Sequence, residues 1–101
     1  MNKEYNHCLI VASVNQGYSN SLVETANLAG ARGGTVLQAK NVEYGESKEP
    51  LQHEQEVILM LVKKEFELDI INAVNENFGF NSEARGTILS LPVDNVVGLF
   101  E

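Results

Sequence analysis

Two βαβ-like halves in tandem predict a small α+β domain with a four-stranded antiparallel sheet and two helices on one face. Two observations carry this prediction. Each half opens on a short apolar β-favouring run, and each run is followed by an apolar stripe at helical spacing and then by another strand-like run. The chain also has only 101 residues, 44% of them apolar and 21% charged, which is an ordinary globular balance with room for a single core. One domain over 1–101 is therefore expected.

The first strand is Cys8-Leu9-Ile10-Val11-Ala12-Ser13-Val14, closed by the turn residues Asn15-Gln16-Gly17. Ser21 and Glu24 fit a capping box, so a helix is expected to start there, with Leu22, Val23, Ala26 and Ala29 as its buried stripe. Gly30, or the pair Gly33-Gly34, is expected to stop it. Thr35 to Lys40 reads as the second strand, with Gln38 and Lys40 on a more polar face. Val57 to Val62 is the third strand. Phe66, Ile70, Ile71 and Val74 mark a second helix that Gly79 ends. Thr87 to Leu91 is the fourth strand, closed by Pro92, which has no N–H for a ladder. This order is that of the ferredoxin-like βαββαβ split fold.

Strand alternation adds a prediction about assembly. Cys8, Ile10 and Val14 face one way and Leu9 and Val11 the other, while Val57, Leu59 and Leu61 oppose Ile58, Met60 and Val62. Both faces are thus apolar, and two helices cover only one. A homo-oligomer is expected to cover the second. Between the halves, 41–55 reads as an acidic loop with Glu43, Glu46, Glu49 and Glu54 against Lys48, and with Gly45 and Pro50 as breakers. It looks too long for a hairpin turn, and loops of this length in compact domains are often functional.

Several function classes are disfavoured. A net charge of -7 with scattered cations argues against nucleic acid. No apolar run approaches the length of a membrane span, and the first residues carry no basic-then-apolar signal, so a cytoplasmic protein is expected. The lone Cys8 allows no internal disulfide, and His7 beside it points to the opposite strand face. No catalytic triad or acid–base pair is visible, so an enzyme is not expected. No metal-ligand spacing occurs, although His53 lies among acidic residues. Arg85-Gly86-Thr87 is the best candidate for anion binding, since it offers a guanidinium, backbone amides and a hydroxyl.

Three segments carry a family resemblance: Gly17-Tyr18-Ser19, Ala29-Gly30-Ala31-Arg32-Gly33-Gly34-Thr35-Val36, and Leu89-Ser90-Leu91-Pro92-Val93-Asp94-Asn95-Val96-Val97-Gly98-Leu99. In order and spacing they resemble the PII (nitrogen regulatory protein) superfamily, above all its short PII-like branches. The resemblance implies a signalling homotrimer that binds an adenine nucleotide (AMP, ADP or ATP) in clefts between subunits. It also implies a loop after the second strand that regulates a transporter or an enzyme. Carried over residue by residue, it places Thr35 and the backbone near Leu61 and Val62 beside the adenine, Arg85, Gly86 and Thr87 at the phosphates, and Lys40 at the end of the second strand.

This sequence also departs from the family pattern. Expected basic or glycine positions are occupied by Asn41, Glu43, Tyr44, Thr87, Gly98 and Phe100. Each charge-assisted contact contributes ~1.5–3 kcal/mol, so losing several costs a triphosphate many powers of ten in affinity, which leaves AMP or ADP, another small ligand, or none. The alternative reading is a CutA-like metal-responsive trimer that binds divalent cations through His53 and the neighbouring carboxylates.

Overall fold

The structure is a computed structural model that describes residues 6–46 and 49–98. Strand β1 (His7–Asn15) leads into helix α1 (Ser19–Leu28), then β2 (Thr35–Tyr44), β3 (Pro50–Lys63), a 3₁₀ turn (Lys64–Phe66), α2 (Glu67–Phe78) and β4 (Thr87–Val93). The strands form one antiparallel sheet in the order β2-β3-β1-β4. This is the expected α+β split fold.

Period two decides which side chains form the core. Cys8, Ile10, Ala12 and Val14 of β1 and Ile58, Met60 and Val62 of β3 are buried together with Leu22, Ala26, Ile70 and Val74 of the helices. Pro92 is not the end of β4: it pairs opposite Cys8, which an edge strand tolerates because one of its edges makes no ladder.

The acidic segment 41–55 is not a loop. Asn41↔His53, Val42↔Gln52, Glu43↔Leu51 and Tyr44↔Pro50 are strand pairs, so β2 and β3 continue as a two-stranded arm beyond the point where β1 ends at Asn15↔Gln55. Only 45–49 is left to connect the strands. The arm has no core face, so its sequence shows no apolar alternation. Lys48 and Phe100 lie outside the described residues.

Helix α1 starts two residues before the expected cap. Ser21 lies inside the helix, and Tyr18 occupies the cap position without a side-chain cap bond. A distant carboxylate takes that role. Glu56 on β3 accepts the Gly17 N–H at 2.8 Å and the Ser19 N–H at 3.3 Å through Oε1, and Gln38 Nε2 donates to its Oε2 at 3.1 Å. The Gly17 N–H leads in holding its pKa below the ordinary carboxylate value, although burial opposes it. The C-terminal end of α1 depends on Gly30. Its φ is +126°, and a Cβ there would meet the Phe66 ring at 2.5 Å, so no other residue lets the second half pack so closely.

Candidate ligand-binding clefts

The face of the sheet away from the helices is open, and its side chains fall into cross-strand rows. Leu61–Leu9–Leu91 forms one row, Thr35–Leu59–Val11–Leu89 the next, and Leu37–Val57–Ser13–Thr87 the third. Toward the arm the rows become polar, with Ala39–Gln55–Asn15, then Asn41–His53, then Glu43–Leu51. Leu37, Leu89 and Leu91 remain 48%, 52% and 50% exposed. The open face therefore has an apolar half over the body of the sheet and a polar half at the base of the arm.

A cleft of about 520 Å³ lies on the polar half. Arg85 and Thr87 form one side, and Asn41, Glu43 and His53 of the arm form the other. Ser13 Oγ donates to Gln55 Oε1 at 2.9 Å on the floor, and Asn41 Nδ2 donates to Glu43 Oε1 at 2.9 Å on the arm. The Arg85 guanidinium stands over the Phe80 ring at 5.5 Å, a cation–π contact that limits its freedom.

The chain entering β4 is tightly fixed. Arg85 has a left-handed φ of 51°, its N–H donates to Ser82 O, and the Gly86 N–H donates to Phe78 O at 2.9 Å. These two amides are therefore committed to the fold, contrary to the expectation that they are open to an anion. Gly86 is required for a different reason than ligand approach, because a Cβ there would lie 2.0 Å from Phe78 O. What this segment offers a ligand is the Arg85 guanidinium and the Thr87 side chain.

The other site residues from the sequence lie elsewhere. Thr35 and Leu61 line a second opening of about 640 Å³, with Arg32, Gly34 and Gly98, on the apolar half. Lys40 is exposed on the arm opposite Glu54, on the strand face away from Asn41 and Glu43. Val62 is buried under the helices at 3% exposure, so only its backbone is offered to the edge of the sheet. Within one chain, then, Arg85 and Thr87 share one cleft and Thr35 and Leu61 another.

Asn15, Asn41, Gln55 and Phe80 are not among the site residues that the sequence predicts. The signal for the first three is visible only in the register, where polar odd-numbered positions of three strands meet. Cys8 takes no part, since burial first, and then Glu67, raises its thiol pKa to about 11 and keeps it protonated. Among the described residues, no three His, Cys, Asp or Glu side chains gather as metal ligands, and no helix is long and apolar enough to cross a membrane.

No protein-family model matches the sequence, and no curated protein matches it. Solved structures do match its fold. GlnK from B. subtilis in complex with ATP superposes with a TM-score of 0.75 at 13% identity, covering 91% of this chain and 85% of that one. Arabidopsis thaliana PII bound to citrate gives 0.69 at 20% identity, covering 93% and 81%. The divalent ion tolerance protein CutA1 of Ehrlichia chaffeensis gives 0.71 at 13% identity, covering 95% and 89%. A Bacillus cereus protein related to NIF3 gives 0.75 at 13% identity, but the match spans only 27% of that longer chain.

Proposed function

The chain has the PII-like fold shared by GlnK, plant PII and CutA proteins, and from that premise we propose a regulatory rather than a catalytic role. In this reading the protein is a cytoplasmic homotrimer. It binds a small phosphate-bearing ligand, an adenine nucleotide, in clefts at subunit boundaries, and it regulates a partner protein through the β2–β3 arm.

One observation carries the reading: the open sheet face joins an uncovered apolar half to a polar cleft with an ordered guanidinium at its rim. Burying the apolar half against other copies removes Leu89 and Leu91 from water, at about 25 cal/mol per Å² of apolar surface. It also turns the polar cleft into a site at a subunit boundary. In such an assembly the Arg85 cleft and the Thr35 opening face neighbouring subunits, so residues that are separate in one chain have a route to a shared ligand. The GlnK structure was determined with ATP. Here one guanidinium and a hydroxyl suit a ligand of lower charge.

Calorimetry with AMP, ADP and ATP on wild type and Arg85→Ala tests the ligand. Micromolar-to-millimolar binding that Arg85→Ala weakens at least tenfold supports the reading. Unchanged affinity in the variant rejects it. The CutA-like alternative has less behind it, because His53 and Glu43 share the cleft but no third ligand joins them among the described residues.

A further inference from the structure

The arm forms one wall of the Arg85 cleft, and this gives Glu43 a role in choosing the ligand. We propose that Glu43 is a specificity-determining residue that limits the cleft to ligands carrying a single phosphate group and disfavours di- and triphosphates; this rests on the reading of the Arg85 cleft as a phosphate site.

Arg85 is the one Lys or Arg side chain lining the cleft among the described residues, and its position is restrained by the Phe80 ring and by the hydrogen-bonded turn that carries it. The Glu43 carboxylate lines the same cleft from the arm, and the Asn41 amide holds it in place at 2.9 Å. In the register Glu43 lies two rows beyond the Asn15–Gln55 row, which is about 13 Å along the strands at roughly 3.3 Å per residue.

A phosphate at Arg85, where the chain enters β4 beside Asn15, therefore gains a charge-assisted contact, while the opposing carboxylate is carried two rows further out on the arm. Each further phosphate extends the anion from Arg85 into the rest of the cleft, where the same chain places no second Lys or Arg among the described residues and Glu43 repels it. The cleft floor supplies neutral partners instead. Gln55, Asn15 and Asn41 are suited to hydroxyl or amide groups on the uncharged part of the ligand.

Glu43→Gln isolates this effect, because the glutamine oxygen keeps its place as acceptor for Asn41 and only the charge is lost. Glu24→Gln, on the exposed side of α1, changes net charge equally but lies outside the cleft. Calorimetry with AMP, ADP and ATP at low and high salt is the experiment. Wild type is expected to bind AMP more tightly than ATP. Glu43→Gln is expected to tighten ATP about 3- to 10-fold and AMP less than twofold, a difference that shrinks with added salt. Glu24→Gln leaves the AMP-to-ATP ratio unchanged.

Wild type preferring ATP, or Glu43→Gln moving all three nucleotides alike, overturns the role of Glu43 while leaving the Arg85 site standing. Nucleotide binding that is indifferent to Arg85→Ala overturns the site itself. Absence of binding by all three up to millimolar concentration overturns both.

Discussion

The two faces of the sheet are both rich in aliphatic side chains, but they end in different environments. On the helix side Ile10, Ile58, Met60 and Val14 are fully buried in one core with residues of α1 and α2. On the other side Leu89, Leu91 and Leu37 are about half exposed, and the face grades into amides and charges toward the arm. The helix face therefore holds the chain together, while the open face is available for association and binding. The same division separates two carboxylates of the β2–β3 hairpin. Glu56, on the helix face, is buried and tied to Gly17, Ser19 and Gln38. Glu43, on the open face, lines the cleft.

Substitutions on the two faces should separate accordingly. Ile58→Ala removes a fully buried side chain and is expected to cost about 2–5 kcal/mol in denaturant unfolding. A loss no larger than that of an open-face variant would mean the core is misplaced. Gly86→Ala forces a methyl group against Phe78 O and is expected to destabilise by about 1–3 kcal/mol. Full stability there would contradict the close packing of the turn that positions Arg85.

Glu56→Gln is expected to cost about 1–2 kcal/mol, because two backbone donors lose a charged acceptor. The sign of its pH effect follows from a folded pKa held below the unfolded one. The stability contributed by Glu56 is fully present above the ordinary glutamate value of about 4.3 and is lost as pH falls through the lower folded value. Thermal melts between neutral and acid pH should therefore converge for wild type and Glu56→Gln at the acid end. A gap that widens toward acid would reverse this assignment. At the small end of the scale, Leu89→Ser is expected to leave the circular-dichroism spectrum unchanged and to cost the fold itself no more than about 0.5 kcal/mol. Its effect should appear in assembly, as loss of any concentration dependence of the melting temperature.

Much of this fold is legible in the sequence because burial leaves a period. The six residues from Val57 to Val62 alternate between two environments that both select aliphatics, and Ile70, Val74 and Phe78 recur on one side of α2. The arm leaves no such record. Residues 41–44 and 50–54 are mostly exposed on both sides, so only their pairing shows that they are strands, and breakers such as Gly45 and Pro50 read as a loop. The Ser21–Glu24 pair suggested a cap by local spacing, but the acceptor that the chain uses lies 37 residues from Ser19. The candidate site divides in the same way. Arg85 and Thr87 are near in sequence and in space, whereas their neighbours Asn41 and His53 reach them through sheet register alone.

Both the assembly and the proposed ligand site require the open face to be covered by copies of the same chain. Sedimentation velocity across micromolar concentrations, on wild type and on the double variant Leu89→Ser/Leu91→Ser, tests this most directly. A wild-type species of three times the 11.1 kDa chain mass, and a folded monomer for the double variant, is the predicted result. A wild-type protein that sediments as a folded monomer throughout would contradict it.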